Sequence, residues 1–507
     1  MLARVLSYAL DGIDGYLVSV EANVSGGMPL FEIVGLPDAA VKESRERVRA
    51  ALANSGFTMP FTRVVLNLAP AGTKKTGPVF DLPIALAILC ASGQLSPAAT
   101  EGIVFLGELS MGGELAAVRG ALPVALSAGK AGYTRLLLPQ QSAPEVSCVE
   151  GLTVYPAASL AEVARHLRGE APIAPQPQQR YAEAVASQTG KDDLCLVAGQ
   201  HMAKRALEIA AAGGHSLLMV GPPGTGKTML ARCLPSLLPD MTFAESLEVT
   251  RIHSAAGILP PGAGLLTQRP FRAPHHSASL AALVGGGKDA HPGEVTLATG
   301  GVLFLDELPE FPRNVLDGLR QPLEDGKVVI ARAGARSEYP ARAMLVASMN
   351  PCPCGYLGSR SRACRCTPQA VARYQGRVSG PLLDRIDLRV EVGEVAPEEI
   401  EQGNRETSAQ VRARVNAARM LQQRRYAREG IYANAQLSAS QLRRWAEPDA
   451  AGRALLAGAM RRWGLSMRGR DRVRKVARTI ADLDGAERVE ARHIAEALQY
   501  RAMETEA

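Results

Sequence analysis

Gly221-Pro222-Pro223-Gly224-Thr225-Gly226-Lys227-Thr228 follows directly on the apolar run Ser216-Leu-Leu-Met-Val220 and leads into Met229-Leu-Ala-Arg-Cys-Leu234. The order reads as a strand, a glycine-rich turn and a helix. Three glycines let successive backbone N–H groups converge on phosphate oxygens, Lys227 can reach the β and γ phosphates, and Thr228 offers a hydroxyl to Mg²⁺ at a helix N-terminus. An ordinary Gly-Pro turn requires neither that lysine and hydroxyl nor those flanking elements. The stretch therefore predicts an α/β fold with a parallel sheet, and ATP with Mg²⁺ as the bound cofactors.

Working outward, Gly300-Gly-Val-Leu-Phe-Leu-Asp306-Glu307 is a second apolar run that stops at two acids. Buried parallel strands need such continuous Val, Leu and Phe, and their carboxyl ends are where these folds bind ligands. Asp306 is the expected Mg²⁺ ligand, and Glu307 the group that polarises the attacking water. A third run, Ala343 to Met349, ends at Asn350, whose amide can contact both the γ-phosphate and that water. Farther on, Asp384-Arg385-Ile-Asp387 sets an arginine between acids. The bland reading is a surface ion pair of little worth. Its place after the third strand suggests an arginine finger, a fork of donors worth on the order of 10³ to 10⁵ in rate.

Together with Gly199-Gln200, Arg272-Ala-Pro-His-His276, Gly285-Gly-Gly287, Pro292-Gly-Glu294, Asn350-Pro-Cys-Pro-Cys-Gly355 and Ala477-Arg-Thr-Ile-Ala-Asp-Leu483, this order of elements resembles the YifB/ComM family over nearly the whole chain. These are bacterial AAA+ proteins often labelled magnesium-chelatase-like. The resemblance implies a homo-hexameric helicase that drives branch migration of single-stranded or branched DNA in natural transformation and recombination. It also implies that Arg385 acts on the neighbouring subunit's nucleotide.

The same resemblance implies that the hairpin-like stretch Gly326 to Pro340 lies in a central pore, where Lys327, Arg332 and Arg336 would track DNA phosphates without reading sequence. The alternative is a basic, solvated hairpin. Only Tyr339 offers an aromatic ring nearby, so base stacking is not signalled. His275-His276 could suggest a metal pair, but neighbours in a strand point apart, which favours a loop or pore contact.

Two breaks divide the chain. Gly169-Glu-Ala-Pro-Ile-Ala-Pro-Gln-Pro-Gln-Gln179 reads as a linker, taken as 169–190. Ahead of it, 1–168 alternates strands and helices without a phosphate loop. Through Gly77-Pro78, Gly107-Glu108-Leu-Ser110 and Leu136-Leu-Leu-Pro139 this module resembles the proteolytic domain of Lon-type proteases, with its ribosomal-protein-S5-like fold. The serine and lysine of Lon-type catalysis fall at Val79 and near Leu122, neither of which can do that chemistry. A noncatalytic docking module is expected, not a protease. The AAA+ core is read as 191–395, with a cysteine-rich insert at 352–366. Beyond it, 396–507 is arginine-rich and helix-forming, as a C-terminal helical lid would be. Ser466 can cap a helix whose positions Val473, Val476, Ala477 and Ile480 follow the helical period. Arg468 lies off that stripe, free to sense the γ-phosphate, with Arg472 as the second candidate.

Cys352, Cys354, Cys364 and Cys366 form two C-x-C pairs within fifteen residues. Such pairs can present four thiolates to one structural Zn²⁺; free reduced thiols and an iron–sulfur cluster are the other readings. Eight cysteines in 507 residues are no disulfide framework, and the length allows about three domains. Net charge +7 favours a polyanionic partner without requiring one. Arg4 and Asp11 interrupt any leader-like apolar start, and no run reaches the roughly eighteen residues that span a bilayer. A cytoplasmic protein without membrane partners is expected. Three function classes compete: a DNA motor, a chaperone or regulatory ATPase acting on protein, and a magnesium-chelatase-like subunit.

Overall fold

The computed structural model describes residues 1–186, 192–287, 291–332, 335–396, 398–399 and 405–501, without the side chains of 186 and 331–336. The chain forms two compact units, Met1–Gln188 with Phe243–Thr267 and Thr189–Thr242 with Gln268–Ala507.

In the first unit β1 (Leu2–Asp11) and β2 (Asp14–Ser25) make an antiparallel hairpin. Gly12 at φ +63 opens its two-residue turn, a conformation that favours glycine. With β3 (Leu30–Val34), β4 (Arg63–Ala69), β5 (Ile103–Phe105), β8 (Arg135–Pro139) and β9 (Thr153–Ala157) they form a seven-stranded sheet of order β3-β4-β2-β1-β5-β8-β9. The short strands β6 (Glu108–Leu109) and β7 (Leu115–Ala116) pair separately. Alternation along β8 sends Leu136 and Leu138 into one apolar cluster and Leu137 into another, so the sheet has a core on each face. The helix Asp81–Ala91, apolar on nearly every side in sequence, is buried at every position.

The segment Phe243–Thr267, expected from sequence inside the AAA+ core, belongs to this first unit. Its helix Phe243–Ala256 packs on the helix Ala121–Lys130, and Leu247 and Leu265 complete the cluster around Leu122 and Leu136. Burial of that apolar face decides the assignment, and nothing in the local spacing announces which unit supplies the partner.

The second unit holds a fully parallel sheet of order β11-β14-β17-β10-β18, built from β10 (Leu217–Val220), β11 (Phe271–Arg272), β14 (Val302–Leu305), β17 (Met344–Met349) and β18 (Leu388–Glu391). Two hairpins stand outside it: β12 (Gly285–Gly286) with β13 (His291–Pro292), and β15 (Lys327–Arg332) with β16 (Ala335–Pro340). The helices Ser408–Arg425, Ala450–Trp463, Met467–Leu483 and Ala491–Gln499 share one apolar core with this sheet and with the helices His201–Gly213 and Lys227–Leu237. The described residues after 405 thus share that core, and Tyr426, Leu437, Leu442 and Ala446 form a small cluster besides. Ser466 caps its helix by accepting from the Gly469 N–H at 3.0 Å, and Val473, Val476, Ala477 and Ile480 are buried as the period requires. Among the described residues no helix is long and apolar enough to cross a membrane.

Candidate functional site

The parallel register places the carboxyl ends of β10, β14 and β17 side by side, with β17 between the other two. Lys227, Asp306 with Glu307, and Asn350 each follow one of these ends, so three separate sequence stretches meet at one place. Gly226, at φ +88, delivers the chain into the helix that begins at Lys227. Gly221 has its own constraint: an added Cβ would stand 2.1 Å from the Val392 carbonyl oxygen.

The Lys227 ammonium donates to the Gly221 and Pro222 carbonyls, both at 2.7 Å, and to Asn350 Oδ1 at 3.3 Å. Burial pushes its pKa down, while Asp306 and Glu307 push it back up. Thr228 Oγ1 donates to Asp306 Oδ2 at 2.9 Å, and the other Asp306 oxygen accepts from the Ser348 hydroxyl. Hydroxyl and carboxylate oxygens brought together in this way are the donor set that a hard divalent cation takes. Glu307 sits at φ +53, a left-handed conformation that a non-glycine residue holds only when its surroundings impose it, at a cost of about 1–3 kcal/mol. Its N–H donates to Ser348 Oγ at 3.3 Å and to Asp306 Oδ1 at 3.1 Å.

Several contributors were not expected from sequence. Ser348 holds both acids; it precedes Asn350 by two residues and so shares its face of the strand, a signal that strand alternation carries. His276 Nδ1 lies 3.7 Å from Glu307 Oε2, beside the His275 ring, tilted by 35° at 4.0 Å between centroids. The two histidine rings therefore lie together in a loop and do not splay as a strand would make them. Gln200 Nε2 donates to the Thr225 carbonyl at 3.3 Å and to that of Gly393 at 2.7 Å, tying the Gly199-Gln200 pair to the phosphate turn. Burial, with Glu310 adding to it, pushes the Tyr374 phenol up to about 12.

Arg385 lies at the other end of the sheet. It precedes β18, whose first residue Leu388 pairs with Leu217 at the start of β10, whereas the phosphate turn follows Val220 at its end. Its guanidinium pairs with Glu324 and donates to the Pro381 carbonyl at 2.9 Å. Its own carbonyl accepts from Ser216 Oγ at 2.8 Å and from Arg472 at 2.7 Å. Arg472 also pairs with Asp387. Burial would raise the Asp387 pKa, but the hydrogen bond and charge of His215, with Arg472 and Lys475, hold it well below the carboxylate range. Arg472 is thus committed to shaping the Arg385 loop. Arg468 is exposed at the start of its helix and has no ion pair among the described residues.

In the hairpin Lys327 pairs with Glu338 at 3.1 Å across the strands, which cancels part of the expected basic character. The side chains of Arg332 and Arg336 lie outside the described residues. Two of the other motifs meet as framework: Arg272 makes a two-pronged pair with Glu294 at 2.6 and 2.7 Å. An added Cβ at Gly293 would stand 2.3 Å from the Gly285 nitrogen, which accounts for glycine at that crossing. In the first unit Val79 packs against the apolar cluster that contains Leu122, with no serine or lysine in either place.

Cys352, Cys354, Cys364 and Cys366 converge just past Asn350, their sulfurs all within 4.8 Å of one another. Backbone hydrogen bonds at Arg365 and Tyr356 hold the Cys354 thiol down at about 6.

Comparison with known proteins agrees with this arrangement. The family model described as magnesium chelatase, subunit ChlI, matches residues 193–400, and models of other ChlI regions match 20–142 and 405–501. The chain is 46% identical to the competence protein ComM of Haemophilus influenzae, over 99% of this chain and 98% of that one. It is 42% identical to the protein YifB of Escherichia coli K12, over 99% of this chain and 97% of that one. The magnesium-chelatase 38 kDa subunit of Rhodobacter capsulatus is 27% identical over 40% of this chain and 56% of its own. Such identity along the full length, on a parallel sheet carrying the AAA+-like site, means that the chain belongs to the YifB/ComM family of magnesium-chelatase-like proteins.

Proposed function

We propose that the chain is an ATPase that works as a homo-hexameric ring and spends ATP hydrolysis on unwinding or branch-migrating DNA in recombination and natural transformation. The observation that carries this reading is the division of charged groups between the two ends of one sheet. Lys227, Thr228, Asp306, Glu307 and Asn350 follow the carboxyl ends of its strands, and Arg385 precedes an amino end. The four-residue strand alone separates the two by on the order of 13 Å. An arginine so placed cannot serve its own chain's phosphates, but it can complete a neighbour's pocket.

Within the pocket the glycine-rich turn receives phosphate on its N–H groups, and Lys227 exchanges its carbonyl partners for phosphate oxygens. Thr228 and Asp306 supply the oxygens that hold Mg²⁺, which when bound neutralises charge on the phosphates. Ser348 keeps Asp306 and the Glu307 backbone in register with each other. Glu307 then accepts a hydrogen bond from the attacking water, while Asn350 orients it. Arg468 is the proposed sensor, and the hairpin with Lys327, Arg332 and Arg336 the DNA contact. The first unit is read as a Lon-type fold whose dyad positions are filled by Val79 and Leu122, and therefore as a docking module. The word competence in the Haemophilus relative's name favours DNA over protein as the polymer.

The test is ATP turnover of purified protein offered single-stranded DNA, forked DNA, or unfolded protein in turn. Stimulation by DNA, together with strand displacement that Lys227→Ala and Glu307→Gln each lower by about 10²- to 10⁴-fold, is the expected result. Stimulation by unfolded protein alone would favour the chaperone reading. Dependence on a partner subunit and a porphyrin would favour the chelatase one.

A further inference from the structure

The four cysteines stand apart from the hydrolytic groups, yet they abut them. Sulfur separations are 3.4 Å for Cys352 to Cys354 and 3.6 Å for Cys352 to Cys364 and Cys354 to Cys364. A single tetrahedral Zn²⁺ with bonds of about 2.3 Å sets its ligand sulfurs about 3.8 Å apart. Disulfide sulfurs approach to about 2.05 Å, and a multi-iron cluster needs more room than four sulfurs within 4.8 Å enclose. An all-sulfur tetrahedral set of this size suits a soft-tolerant ion with no geometric demand of its own. Four thiolates around a dication leave a net charge of about −2, and the same loop carries Arg360, Arg362 and Arg365 to offset it. Arg362 lies 4.7 Å over the Tyr356 ring, folding that loop back on itself.

What the cluster supports lies at its first turn. The Gly355 N–H donates to the Cys352 carbonyl at 2.9 Å, and Gly355 takes φ +84 between the two ligand pairs. There it meets the phosphate turn: a Cβ added to Gly355 would stand 2.7 Å from Pro223 Cδ and 3.9 Å from Asn350 Cγ. Gln375 secures the same stretch by donating to the Pro351 carbonyl at 3.0 Å.

We propose that Cys352, Cys354, Cys364 and Cys366 bind one Zn²⁺, and that this metal-held knuckle is the supporting wall of the nucleotide pocket, fixing Gly355 against Pro223 and Asn350 beside Lys227. On binding, each thiol that becomes a ligand gives its proton to solvent as the hydrated ion sheds water. The nine loop residues between the second and third cysteines, 355–363, cannot bury enough apolar surface to hold that wall alone, so the ion substitutes for a core. The proposal rests on the nucleotide-site reading but not on DNA or on ring assembly.

Full-length protein purified without chelators, its metal content by mass spectrometry and its affinity for a fluorescent ADP analogue measured without DNA, provides the test. The wild type is expected to carry about one zinc per chain. Cys354→Ser with Cys366→Ser should abolish the zinc and weaken nucleotide binding by about 10-fold or more. Gly355→Ala keeps every ligand but pushes a methyl group into Pro223; it should retain zinc and still bind nucleotide less tightly. Wild type without zinc, or equal zinc in the double serine variant, overturns the metal site. Wild-type nucleotide affinity in Gly355→Ala overturns the supporting role, even if the serine variant fails to fold. A wild type that carries zinc but binds no nucleotide would instead sink the pocket reading beneath it.

Discussion

Asp306 and Glu307 are adjacent in the chain, yet their surroundings give them different work. Asp306 has both oxygens engaged, by Thr228 and by Ser348, whereas the Glu307 carboxylate is half exposed with His276 at 3.7 Å. The first is held as a ligand is held, and the second is left free to meet water. Ser348 joins them, so removing its hydroxyl should loosen both without deleting either. Ser348→Ala is expected to lower ATP turnover by about 10- to 100-fold while nucleotide affinity in the absence of Mg²⁺ stays near wild type. Equilibrium binding with and without the metal, set beside turnover, checks this. Lys227, Thr228 and Asp306 were legible in the linear text because a phosphate turn and a strand ending in acids are local patterns. Gln200 and His276 were not, since each reaches the pocket from a loop whose course only the packed sheet determines.

At the level of elements, the short helix Ala143–Val146 carries Glu145 into the first unit, where it is 6% exposed. Burial raises its pKa from 4.5 to about 7, with Ser254 and the Ala121 backbone offsetting part of the effect. The folded state therefore keeps a proton that the unfolded chain gives up first. Stability from this group is full below about pH 4.5 and declines as pH rises to about 7, above which a buried carboxylate is carried at its full cost. Glu145→Gln should remove that slope, raising stability at pH 8 by up to about 3 kcal/mol and leaving it nearly unchanged at pH 4.5. Calorimetric scans of the full chain at the two pH values measure it; equal shifts at both would contradict the account. Strands and capped helices were readable where period and cap agree, as at Ser466 and Val473 to Ile480. The helix Phe243–Ala256 was readable as a helix but not as a member of the first unit, because its partner Ala121–Lys130 is more than a hundred residues away in the chain.

For the whole molecule, Lys227 and Arg385 stand at opposite ends of one sheet, and in the proposed ring each pocket would be the property of two chains. Lys227→Ala and Arg385→Ala should each be inactive alone. Mixed and allowed to exchange subunits, they should regain measurable ATP turnover, because some interfaces then join an intact Lys227 to an intact Arg385. Turnover of the mixture no greater than the sum of its components would place the finger elsewhere. The family likeness was legible over the full length, since its motifs are contiguous words. Arg472 could not be separated from Arg468 in the text, for both are arginines near one helix start, and only the pairing with Asp387 divides them. The excursion of Phe243–Thr267 has a practical result: the polypeptide passes between its two units three times, after residues 188, 242 and 267. A protease that nicks the expected connector at 169–179, which lies within the first unit, would break the covalent tie of everything before the cut, and the severed piece would be held only by packing such as that on its borrowed helix. Anyone dissecting the protein at that connector would obtain a fragment with a bare apolar flank and should expect it to aggregate.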